Sequence, residues 1–157
     1  MLISTNVPQL VQTDSNPDGV PLATLDSFRA AMLKDRAKFF IEIPTGPFFG
    51  YNRPGATASQ GQIESWTQQG LQGSLKATYE TTRSWEVDYR DDLKKIDVPI
   101  LAIQGDDDQI VPIKTGVHSL AKERPDVKVK VYPGGSHALP NVNTEEINRD
   151  LLDFLKA

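Results

Sequence analysis

The sequence predicts an α/β fold built on a short parallel sheet flanked by helices, and three features carry that expectation. The stretch "VPILAIQG" (98–105) is a continuous apolar run bounded by Pro99 and Gly105, as a parallel strand buried on both faces should be. A second strand candidate, "VKVKVYPG" (127–134), lies further along the chain. Stretches with helical spacing lie between and after these two runs. From residue 99 onward the chain therefore reads strand, helix, strand, helix, the pattern of a parallel sheet covered by helices.

The elements before that core are less regular. "MLIS" (1–4) is a short apolar run that reads as the end of a strand whose beginning lies outside the sequence. "TDSNPDGVP" (13–21) is full of turn formers and reads as an exposed loop. From Thr24, apolar residues recur at Leu25, Phe28, Met32, Phe39, Phe40 and Ile43, which predicts one amphipathic helix to about Ile43 with Thr24 as its N-cap. "PTGPFFGYNRPGA" (44–56) holds three prolines and three glycines in thirteen residues and cannot be a long helix. Two further helices are expected, at about Ser59–Leu71 with Ile63, Trp66 and Gly70 on one side, and at about Ser74–Trp85. Residues 22–88 thus form a helical, loop-rich section with no clear strand.

The C-terminal elements follow the same logic. "PIKTGVHSLAKE" (112–123) has helical spacing at Ile113, Val117 and Leu120/Ala121, with Pro112 suited to a first turn. "VKVKV" alternates, which places that strand near an edge with its lysines towards solvent. The last helix, about Thr144–Leu155, opens on Asn143-Thr-Glu-Glu146, a capping-box-like start. Its expected buried stripe is Ile147, Leu151, Leu152 and Phe154/Leu155.

Composition excludes several classes of function. A chain of 157 residues with 38% hydrophobic content fits one domain with a core of its own. Its net charge is −4 and no Arg-rich run stands out, which speaks against a nucleic-acid binder. The sequence has no cysteine, so disulfides, thiolate metal sites and a cysteine nucleophile are excluded together. No stretch approaches the roughly 18 to 20 apolar residues of a membrane span, and "MLISTNVPQLVQ" lacks the features of a signal peptide. A cytoplasmic protein with no membrane association is the expectation.

The chemistry gathers at the strand ends. In open α/β sheets, functional residues collect outside the carboxyl ends of the strands. The first strand candidate ends in "GDDDQ" and the second runs into "PGGSHALP". An acid on one end and His137 on the next could form an acid–histidine pair in which the carboxylate fixes the imidazole tautomer and the ring acts as general base. Asp106 and Asp107 read most simply as turn residues that satisfy backbone N–H groups where the strand stops. A metal site is not expected, because consecutive side chains on a turn rarely converge and the spaced D-x-D-x-D-G loop is absent.

Four stretches, "LISTNVPQLVQTDSNPDGVP", "GPFFGYNRPGA", "DVPILAIQGDDDQIVP" and "DLLDFLKA", resemble the cofactor-free (non-heme) chloroperoxidase and arylesterase branch of the α/β-hydrolase superfamily. The resemblance runs over essentially the whole chain, but it covers only the C-terminal part of such an enzyme. It implies that the acid directly before "QIVP", Asp108, and His137 are the triad acid and histidine. It also implies that Ile110 and Val111 line the acyl pocket, that residues 22–88 form a cap over it, and that 1–21 and 89–157 belong to one partial core domain. Neither a cofactor nor a metal is implied. Two departures stand out: members usually have His where Gln104 stands and Gly where Ala138 stands. The latter suggests a different loop around His137.

The triad order in this fold is Ser, then Asp or Glu, then His, and no serine here lies in a G-x-S-x-G setting. Ser59 sits in "TASQG", Ser74 in "QGSLK" and Ser136 in "GGSHA". The first expectation is part of a serine hydrolase acting on small esters or carboxylic acids, whose nucleophile comes from elsewhere. The alternative is a catalytically inert, self-associating α/β fragment. In either case an unpaired strand edge favours a homo-oligomer, or association with a chain carrying the missing half.

Overall fold

In the computed structural model, residues 1–156 are described. The sheet has three parallel strands in the order β1-β2-β3: β1 (Leu2–Ile3), β2 (Leu101–Gly105) and β3 (Lys128–Tyr132). The central strand is buried at every position, which explains why its sequence is apolar without alternation.

Each face of the sheet has its own core. On one, Ile100 and Ala102 pack with Val117 and Leu120 of α6 (Val117–Glu123) and with Leu93 of a short turn of helix, Arg90–Leu93. On the other, Leu101, Ile103 and Tyr132 pack with Leu139 of α7 (Leu139–Val142) and Ile147 of α8 (Thr144–Lys156). The short helix Arg90–Leu93 is α5. Residues 22–86 hold α1 (Leu22–Lys34), α2 (Arg36–Thr45), α3 (Gln60–Gln72), α4 (Leu75–Thr81) and a 3-10 turn at Thr82–Glu86. Their centre is aromatic, with Phe39 and Phe40 packed edge to face at 5.3 Å and Phe40 against Trp66 at 5.8 Å.

Several expectations on boundaries and faces need correction. The single helix expected over Thr24–Ile43 is two, broken at Asp35, which is extended (φ −153°, ψ 92°) and accepts a hydrogen bond from the Lys38 N–H at 2.9 Å. Apolar spacing runs through the break unchanged, so only the capping acid betrays it. Thr24 lies inside α1, which begins after Pro21. Pro112 precedes a turn rather than opening α6, which starts at Val117. The segment 13–21 is not simply exposed, because Asn16 is buried and donates to the carbonyls of Gln9 (2.9 Å) and Val11 (3.0 Å).

In the sheet's outer layer, β3 matches its expected place and the stripe of α8 does not. As expected, β3 is an edge strand with exposed lysines, and these stand on the side that carries α8. Lys130 pairs with Asp150 and Lys128 lies 5.6 Å from the Phe154 ring centre, so aliphatic stems cover the helix while the charges reach water. In α8, Ile147 is buried and Leu151 and Phe154 are half-buried, whereas Leu152 and Leu155 are 51% and 70% exposed.

Candidate active site

The three consecutive aspartates at the end of β2 diverge, and each has a separate partner. Asp106 turns towards β3 and accepts from the Gly134 N–H at 2.6 Å. Asp107 points outward to Arg53, with Oδ2 2.6 Å from Nε. Asp108 turns inward and is buried. Separate partners explain how three like charges sit side by side without forming a shared acidic site. Among the described residues, no group of three His, Cys, Asp or Glu stands close enough to hold a metal ion.

Asp108 is held from several directions. Its Oδ1 accepts from the backbone N–H groups of Ile110 and Val111, both at 2.9 Å. Its Oδ2 lies 2.9 Å from Nδ1 of His137 and 3.3 Å from Nε2 of Gln104. A carboxylate accepts, so the ring carries its hydrogen on Nδ1. That leaves Nε2 as the basic nitrogen, and among the described residues nothing hydrogen-bonds to it. Gln104 is fully buried, donates also to the Val111 carbonyl (2.7 Å) and accepts from the Val117 N–H (2.9 Å). It thus ties Asp108 to the start of α6.

Backbone contact brings the two loops this close. A Cβ on Gly105 would stand 2.1 Å from the Gly135 carbonyl oxygen, so only glycine permits the approach. Gly134 sits at φ +66°, a left-handed conformation that suits glycine and aims its N–H at Asp106. The alanine after His137 causes no distortion: Ala138 has φ −85° and ψ 38°, and its N–H donates to the Phe48 carbonyl at 3.1 Å.

His137, Ile110 and Val111 all stand in the wall of one cleft of about 770 Å³. Its walls are mainly apolar, with Leu10, Leu25, Phe28 and Trp85 among them. Phe48 packs against the His137 ring at 5.2 Å and against Trp66 at 5.2 Å, linking the histidine to the helical section. Ser4 also lines this cleft; its Oγ is buried without a partner and its backbone lies at φ +46°. The sequence did not single out Phe48, Arg53 or Ser4 for the site. The only signal for the first two was their place in "GPFFGYNRPGA", and none marked Ser4.

The family model described as "alpha/beta hydrolase fold" matches residues 1–142. The chain belongs to the α/β-hydrolase fold family. Within it, this α/β-hydrolase chain is 45% identical over 158 residues to a non-heme haloperoxidase of Rhodococcus erythropolis, covering 100% of this chain and 58% of that protein. It is 39% identical to a bifunctional esterase/perhydrolase of Acinetobacter calcoaceticus, covering 100% of this chain and 57% of the relative. A crystal structure of bromoperoxidase from Bacillus anthracis superposes with a TM-score of 0.89 at 29% identity, over 99% of this chain and 56% of that one. This α/β-hydrolase chain therefore spans little more than half the length of the proteins it matches. Among the described residues, no helix is long and apolar enough to cross a membrane.

Proposed function

We propose that this chain supplies the acid and the general base of a serine-hydrolase triad acting on small carboxylic esters. The observation that carries the reading is Asp108 Oδ2 at 2.9 Å from His137 Nδ1, with His137 in the wall of an apolar cleft. In the complete site, Nε2 of His137 takes the proton of an attacking serine hydroxyl as the acyl-enzyme forms. Asp108 stabilises the resulting imidazolium, and His137 returns the proton to the leaving alkoxide. Ile110 and Val111 flank the acyl group, and residues 22–88 close over it as a cap. Water then releases the acid. The peroxidase and perhydrolase names of the relatives point to hydrogen peroxide as a second acceptor, whose attack on the acyl-enzyme would release a peracid.

The nucleophile comes from outside these 157 residues, since no G-x-S-x-G occurs in them. The sheet edge supports the same reading, because β1 pairs only with β2 and leaves its other edge unpaired among the described residues. Hydrolysis of p-nitrophenyl acetate tests it, with the portion of the Rhodococcus relative that this chain does not match supplied in trans. Turnover should appear on mixing and fall at least about a thousandfold with His137→Ala. Equal, feeble rates in wild type and variant, with and without the complement, would instead mean an inert self-associating fragment.

A further inference from the structure

We propose that Arg53 is a positioning residue for the Asp108–His137 pair, clamping the aspartate loop and the histidine loop in one register. Its Nη2 donates to the Asp107 carbonyl at 2.6 Å and its Nη1 to the Gly134 carbonyl at 2.8 Å. Its Nε lies 2.6 Å from Asp107 Oδ2. One planar guanidinium thus touches both loops at once, a reach that a single ammonium group lacks.

The rest of the 46–56 segment grips the same loops. Asn52 and Gln109 exchange side-chain hydrogen bonds at 2.8 and 3.2 Å, and the Phe48 carbonyl accepts from the Ala138 N–H at 3.1 Å. The contacts at 107 and 109 lie on either side of Asp108, and those at 134 and 138 lie on either side of His137. Gly50 adds an independent sign that the guanidinium belongs there. It sits at φ +75°, and a Cβ on it would come within 2.6 Å of Arg53 Cζ. The motif "GPFFGYNRPGA" is therefore a brace: its glycine clears the path, its arginine and asparagine hold the loops, and its phenylalanine packs on the imidazole. Such a brace fixes a pair that must keep hydrogen-bond geometry through proton transfer.

The inference rests on the proposed triad reading for its purpose, but its test does not depend on turnover. Nuclear magnetic resonance of the 157-residue chain reads the His137 ring directly, and the exposed His118, the other of two histidines, serves as internal reference. Wild type should show a slowly exchanging Nδ1–H resonance for His137 alone. In Arg53→Ala its exchange should quicken about tenfold or more, as a local opening freed of a charge-assisted bond allows.

Arg53→Lys should resemble Arg53→Ala, and decides the matter if Arg53→Ala does not fold cooperatively. Arg124→Ala is the control, since Arg124 clamps the carbonyls of Leu93 (2.6 Å) and Ile96 (3.1 Å) away from the site. It should lower the melting temperature and leave His137 unchanged. An unaltered His137 in both Arg53 variants, or equal change in the Arg124 variant, overturns the proposal, as does a wild type lacking the resonance. An intact resonance without His137-dependent ester turnover would sink the catalytic reading alone.

Discussion

The strand-end loops and the helical section wall the same cleft, but different physics holds each of them. At the strand ends, backbone meets backbone: a Cβ on Gly105 would collide with Gly135 at 2.1 Å, and one on Gly135 would lie 2.9 Å from Gly105 Cα. β2 beneath them is buried at every residue. In the helical section, ring meets ring, with Phe28–Phe39 at 6.2 Å, Phe39–Phe40 at 5.3 Å and Phe48–Trp66 at 5.2 Å. Backbone pinned in a sheet cannot step aside, whereas an aromatic side chain can tilt. Substitutions on the first side should therefore dismantle the Asp108–His137 pair, and those on the second should reshape the cleft around an intact pair.

Gly105→Ala is the sharpest way to break that contrast. Its methyl would meet a carbonyl belonging to the loop that carries His137, so strands or loop must shift. A loss of about 3 kcal/mol is expected, measured as a lowered urea midpoint, together with loss of the His137 Nδ1–H resonance. A loss below about 1 kcal/mol would show that the two loops can slide apart freely.

Gly70→Ala asks the same question of the helical side. The added methyl would stand 2.3 Å from Phe40 Cδ1, but a ring can yield where a carbonyl cannot. Alanine also favours the interior of α3 by up to about 1 kcal/mol over glycine, against an overpacking cost of about 1–3 kcal/mol. The net loss should be about 1 kcal/mol, with a changed Trp66 fluorescence and an unmoved His137 resonance. If the His137 signal moved as far as in Gly105→Ala, the division between the two sides would fail.

The same division explains what was legible in the sequence. The sheet could be read because a buried strand must be apolar over "ILAI", and the pair lay near to hand because functional groups gather at strand ends. Which of three aspartates turned inward was not written in their chemistry, since the choice depends on backbone direction after Gly105; a motif resemblance singled out Asp108. The break at Asp35 was hidden because apolar periodicity continues through it. Alternation placed Lys128 and Lys130 towards solvent, where they stand, but it could not say that α8 lies on their side of the sheet. Arg53 could not be found from spacing at all, as its partners lie 54 and 81 residues away. Contacts made by a loop across the fold leave no local period.

Acid titration should give the smallest effect and confine it to the sheet side. Asp150 on α8 pairs with Lys130 and accepts from the Tyr132 hydroxyl on β3. The hydrogen bond from Lys130, then that from Tyr132, holds its carboxyl below the ordinary range. A depressed folded-state pKa means the stabilisation is present above the unfolded value near about 4 and is lost as pH falls through the folded one. The Tyr132 phenol is pushed up, first by burial and then by Asp150, so its contribution holds below about 10 and is lost as pH rises beyond that. Between those limits, Asp150→Asn should unfold at lower urea than wild type, and the gap should close below about pH 4. The Trp66 signal of the helical section should not follow that closure, because none of the three groups touches it. A gap that persisted unchanged at pH 3 would mean that the Asp150 contribution does not depend on its charge, and no gap at neutral pH would mean that α8 is held by the apolar contacts of Ile147 and Phe154 alone.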